Sequence, residues 1–166
     1  MIDFDFARNR PPLIPLLLAM AAALLLDFIP LPADVFFWMP SFSAILLFFL
    51  TLRSPQHFGM LFAFVFGLLV DAGSTAPLGQ HALAFVLLAF IIQLPAVHAY
   101  LKTPLRQAVA LLLALLCNQA VILFLNAVRD QQLSHPESFA SALTGVLLWP
   151  LLDKVLLSFL RTRRFK

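Results

Sequence analysis

Long apolar runs, separated by short polar or proline-rich connections, fill most of the chain. An α-helix needs about 20 apolar residues to cross the roughly 30 Å hydrocarbon core of a bilayer. Six runs approach that length: Leu13 to Leu31, Val35 to Leu52, His57 to Ala72, Gly79 to Tyr100, Arg106 to Val128 and Ala140 to Leu160. They nearly exhaust the sequence. The expected fold is all-α, a polytopic membrane protein built as a six-transmembrane-helix bundle, with residues 1–166 forming a single integral membrane domain.

Prolines sharpen this map. Pro30, Pro32, Pro55, Pro104 and Pro136 fall in the connections, where a missing N–H does least harm. Pro40, Pro95 and Pro150 fall inside runs and predict kinks, since each removes a helix hydrogen bond. A second span that begins near Pro40 leaves Val35 to Met39 along the membrane interface, with Trp38 at headgroup depth. The first run also fits a signal peptide, with Arg8 and Arg10 ahead of it and Ala21 to Ala23 for cleavage, yet the remaining chain would still need a membrane.

Composition excludes the alternatives to lipid. The 166 residues are 62% hydrophobic and 11% charged, against about 25% charged in a soluble domain that must meet water on every side. One cysteine, Cys117, cannot form an intrachain disulfide. Orientation follows from the basic residues, which are retained on the cytoplasmic side. Nine (Arg8, Arg10, Arg53, Lys102, Arg106, Arg161, Arg163, Arg164 and Lys166) collect on one face, against Arg129 on the other, while Lys154 lies within the last span. Both termini are therefore expected in the cytoplasm. Asp34, Asp71, His81, His135 and Glu137 then face outward.

Polar and small residues inside the spans are the candidate chemistry. Gly59, Ala63, Gly67 and Asp71 recur every four positions, a nearly bare helix stripe that lets another backbone approach closely. That backbone belongs either to this chain or to a partner helix. The fifth span repeats the spacing with Arg106, Ala110, Ala114 and Asn118, with Asn126 further on. Asn118 is expected near mid-membrane, where an interhelical hydrogen bond is worth about 0.6–2 kcal/mol. Gln93 and Asp153 share a depth of about 12 Å and are placed to meet, while Lys154 can snorkel to the headgroups. Asp27 and Asp71, near outer span ends, are either functional carboxylates or interfacial caps.

The connection from Asp71 to His81 has an ordinary explanation: Gly73 ends one helix, Pro77 starts the next, and Ser74 or Thr75 caps it. Ser74, His81 and Asp71 also supply the residue types of an intramembrane hydrolase, which would need a nucleophile within reach of a base. No phosphate-binding loop, paired cysteine or metal-spaced histidine occurs, since His57, His81, His98 and His135 are scattered, so no metal or cofactor is expected. The tail Arg161 to Lys166 reads as an orientation signal and anionic-lipid anchor, or as a contact for an acidic partner, and not as a nucleic-acid surface.

The segment Gly67 to Leu83, with Gly67, Asp71, Pro77, Leu78, Gly79 and His81, resembles the signature of the rod shape-determining protein MreD family. Members often carry Ser-Gly where this chain has Ser74-Thr75. The resemblance implies a non-enzymatic, multi-pass protein of the bacterial inner membrane in the cell-elongation machinery. It further implies docking of the transmembrane helix of MreC, and through MreC a link to MreB, RodZ and the peptidoglycan polymerase and transpeptidase. On that reading Gly59, Ala63 and Gly67 contribute to helix docking, and Asp71, Pro77, Gly79 and His81 shape the outer loop beside them. At the level of six hydrophobic spans the chain also resembles the substrate-binding subunits of energy-coupling-factor transporters. Their docking face of small residues is matched by Ala19 and Ala23, with Asp27, Asp71 and His81 the candidates for holding a small molecule.

Overall fold

The protein is described by a computed structural model covering residues 13–29, 32, 38–74, 77–130 and 140–160, without the side chains of Asn126, Arg129 and Asp130. Seven helices and no strand occur among the described residues: α1 Leu13–Asp27, α2 Phe42–Arg53, α3 Met60–Gly73, α4 Gln80–Gln93, α5 Pro95–Tyr100, α6 Pro104–Asp130 and α7 Ala140–Leu160. Arg8, Arg10, Pro30, Asp34 and the rest of the expected interfacial segment before Trp38 lie outside the described residues, as do Thr75, His135, Pro136, Glu137 and the basic tail.

Proline sets two of the boundaries. The chain leaves Pro40 extended at Ser41, whose hydroxyl accepts from the Ala44 N–H at 3.4 Å, and α2 starts at Phe42. The continuous span expected over residues 79–100 is instead divided. Pro95 has no N–H to give and drives Leu94 to ψ 128°, so α4 stops at Gln93 and the short α5 restarts with Pro95 in its first turn. Pro150 does not break α7, which runs through it.

Helix length divides the molecule further. Among the described residues, α6 over Pro104–Leu125 and α7 are long and apolar enough to cross a membrane unaided. Helices α1 to α4 are equally apolar but shorter, from 12 to 15 residues.

The core surrounds α2, where every residue from Ser43 to Leu52 is buried, the mark of a helix covered on all sides. Phe48 meets Trp149 of α7 edge-on at 5.1 Å. Helix α1 contributes Leu16, Ala19 and Ala23 to the same core. The Ala19 and Ala23 face, which the transporter reading reserved for a coupling subunit, is therefore covered by this chain. Small residues at that spacing serve close packing within the bundle.

Polar contacts at the helix ends fix an alternating up-and-down course. Asp27, closing α1, bonds the start of α2, and Asp71 near the end of α3 bonds the start of α4, so these four ends share one side, here the acidic end. Arg53, closing α2, bonds Asp153 of α7, and Gln93, closing α4, bonds the segment before α3. That opposite side, with Lys102 and Arg106 beside it in sequence, is the basic end.

Candidate functional site

The acidic end holds two joints of one design. At the first, the Asp27 carboxylate accepts the backbone N–H of Phe42 at 2.7 Å and of Ser43 at 3.0 Å, and also takes the Ser43 hydroxyl. The first N–H groups of a helix have no partner within it and carry partial positive charge, so a carboxylate is the ligand they favour. Here the cap comes from the preceding helix.

At the second joint, Asp71 Oδ2 accepts from the Gly79 N–H at 2.8 Å and, longer, from the Ala82 N–H at 3.3 Å. Its Oδ1 accepts from the His81 N–H at 2.9 Å and pairs with His81 Nδ1 at 2.8 Å. The Asp71 side chain is 0% exposed, and a carboxylate so buried is tolerable only with its lone pairs filled. Nδ1–H donation to the carboxylate fixes the His81 tautomer, and the ring lies edge-on to Phe85. Gly79 makes the geometry possible at φ 96°, a left-handed conformation that a side chain would strain. Pro77 closes the turn by accepting from the Gln80 N–H at 3.2 Å.

The cap of α4 expected from Ser74 or Thr75 is supplied among the described residues by Asp71. Ser74 donates to the Asp71 main-chain carbonyl at 3.3 Å, at the end of its own helix, and Thr75 lies outside the described residues. A hydrolase needs the serine on the histidine. In the arrangement observed, His81 and Ser74 both bond to Asp71, through different atoms.

The stripe of small residues leads into this joint. Ala63 and Gly67 are buried, and a Cβ added to Gly67 would collide with the Ala82 Cα and come within 2.6 Å of the Ala82 nitrogen and 2.9 Å of the His81 carbonyl carbon. The backbone that approaches at Gly67 is α4 of the same chain. Gly59 precedes α3 as its N-cap, with Gln93 Nε2 near the position of a Cβ at 3.9 Å.

The joints also touch one another. The Phe28 ring, one residue past Asp27, fills the space a Cβ on Gly73 would occupy.

At the basic end, Arg53 Nη2 bonds both Asp153 oxygens, at 2.8 and 3.0 Å. The pairing of Gln93 with Asp153 expected from equal depth does not form. A charge-assisted bond from Arg53 takes the carboxylate, and Gln93 Nε2 instead donates to the Phe58 carbonyl at 2.9 Å, a group in the connection before α3. Asn118 is buried on α6 as expected, but its Oδ1 has no partner among the described residues. Its neighbour Gln119 takes the interhelical bond, donating to the Ser141 hydroxyl of α7 at 3.1 Å.

Sequence reasoning missed Ser43 and the partner of Asp153. The signal for the first was the run Pro40-Ser41-Phe42-Ser43, a helix start with hydroxyl residues at its entry. For Arg53 there was none, because it lies 100 residues from Asp153.

Comparison with known proteins gives one assignment. Residues 8–159 match the family described as rod shape-determining protein MreD. No solved structure matches the chain.

Proposed function

The chain belongs to the MreD family of membrane proteins and has a role in rod-shape determination, and we propose that within this role it is a non-enzymatic adaptor that docks the transmembrane helix of MreC. The observation that carries the reading is the saturation of Asp71. Three backbone N–H groups and the His81 ring at the start of α4 fill its carboxylate, so the most distinctive segment of the sequence works as a structural joint. The joint holds α3 and α4 as one rigid pair, whose outer face exposes Leu61, Val65 and Leu69 four residues apart, a stripe suited to another apolar helix.

In this proposal the chain crosses the bacterial inner membrane six times, through α1, α2, α3, the broken α4 and α5, α6 and α7, with both termini in the cytoplasm. The alternating helix ends support it. So does the gathering of basic residues at one end. Through MreC the adaptor connects to MreB, RodZ and the peptidoglycan polymerase and transpeptidase.

Native mass spectrometry of gently extracted protein tests the reading. A complex containing MreC is expected, and it should weaken in Asp71→Asn at equal membrane abundance and equal thermal stability. A species carrying a small molecule and no protein partner would instead favour capture of a solute, and MreC recovery undiminished by Asp71→Asn would remove the joint from the docking surface.

A further inference from the structure

An open cleft of about 600 Å³ lies between the first turns of α6 and the length of α7 from Leu143 to Lys154. Its walls are apolar along Ala108, Leu143, Leu147 and Trp149, and Pro104 and Lys154 line it towards the basic end. From Leu143 to Lys154 the cleft follows eleven residues of α7, about 16 Å at 1.5 Å per residue. That is about half the thickness of a hydrocarbon core, the depth of one leaflet. A membrane-spanning helix would need a groove about twice as long.

Charge on the lining selects among lipids. Asp153, which also lines the cleft, is already paired with Arg53. Lys154 is exposed and has no acidic partner among the described residues. Beside Pro104 in sequence, Lys102 and Arg106 are exposed too, and Arg106 stacks over the exposed Tyr100 ring at 4.6 Å, an aromatic of the type that settles at headgroup level. The cleft therefore offers apolar walls one leaflet deep and an uncompensated cation within the span, whose long side chain can snorkel to headgroup height.

We propose that this cleft is a binding site for an anionic phospholipid, with an acyl chain along Ala108, Leu143 and Leu147 and the phosphate on Lys154. The proposal does not rest on MreC docking, and its test contains no partner protein, so the two can fail separately.

Trp149 supplies the probe. The chain has two tryptophans, and Trp38→Phe leaves Trp149 alone in the cleft wall. This variant is reconstituted in equimolar phosphatidylcholine and phosphatidylglycerol, with one lipid or the other brominated on its acyl chains, and quenching of Trp149 is measured. Brominated phosphatidylglycerol is expected to occupy the site about fivefold in preference, one basic side chain's share near an anionic surface. Lys154→Gln should abolish that preference while Ala108→Leu, which fills the wall, lowers quenching by both lipids. Circular dichroism and thermal melting confirm that each variant is folded. Equal quenching by both lipids, or a preference that survives Lys154→Gln in folded protein, overturns the assignment. So does quenching by neither lipid, and if a co-reconstituted single-span helix then shields Trp149, the cleft holds a protein helix instead.

Discussion

Asp27 reaches 15 and 16 residues ahead to Phe42 and Ser43, whereas Asp71 reaches 8 to 11 residues ahead to Gly79, His81 and Ala82. Both carboxylates finish one helix and cap the next at the same end of the molecule. They differ in what surrounds them. The Asp71 joint adds a histidine, a left-handed glycine and a Cβ-free contact between α3 and α4, so several independent features specify one geometry. The Asp27 joint adds a hydroxyl, and its connection is longer. The α3–α4 pair is accordingly the more tightly specified and the more rigid joint.

The largest expected effect removes the second carboxylate. Asp71→Ala orphans three N–H groups, that of Ala82 buried and those of Gly79 and His81 partly so, and strips His81 of its partner, and breaking a buried pair in this way costs about 3–5 kcal/mol. Thermal unfolding in detergent should show a much larger drop for Asp71→Ala than for Asp27→Ala. Equal drops would erase the distinction between the joints.

Gly67→Ala follows. The new methyl meets backbone atoms of His81 and Ala82, which cannot rotate away, so α4 itself must shift. Overpacking of this kind costs about 1–3 kcal/mol, and the same melting assay reads it. Gly79→Ala strains the left-handed turn by about 1–2 kcal/mol without touching any neighbour, since nothing lies within 4 Å of the added carbon. If its melting temperature matches the parent, the turn has an alternative conformation and Asp71 is not held by it.

On the α1–α2 side, Ser43→Ala deletes one hydroxyl bond to Asp27 and leaves both backbone N–H bonds in place. A loss of about 1 kcal/mol is expected. A loss approaching that of Asp71→Ala would mean the first joint depends on its side chain as strongly as the second.

How far these joints were readable follows from the same contrast. The α3–α4 joint could be located in the sequence because its parts are close together: a small-residue stripe running into Asp71, then Pro77, Gly79 and His81 within ten residues. Spacing does not give the direction of the bonds, so it points to the local hydroxyls as caps and is silent on a carboxylate from the previous helix. Asp27 stands out in the sequence as a carboxylate near a span end, but its acceptor role needs Phe42 and Ser43, which only folding brings near. Arg53 and Asp153 lie beyond any local pattern. The division at Pro95 was half legible, as a kink, because proline shows where a hydrogen bond is lost and not how far the helix then turns. The core position of α2 could not be separated from a lipid-facing span, since both are apolar throughout.

The smallest effect tests whether the two joints are coupled. Gly73 resembles Gly67 in that a Cβ would collide with a neighbour, but the neighbour is the Phe28 ring, the far end of a side chain at the exposed edge of the bundle. A ring in that position can swing aside, and alanine also gains helix propensity over glycine, so Gly73→Ala should change stability by no more than about 0.5 kcal/mol in either direction. Its melting curve should overlay the parent while that of Gly67→Ala falls. Should Gly73→Ala destabilise as strongly as Gly67→Ala, the Phe28 ring is clamped in place. The joints at Asp27 and Asp71 would then form a single structural unit, and the greater rigidity assigned to α3 and α4 would have to be shared with α1 and α2.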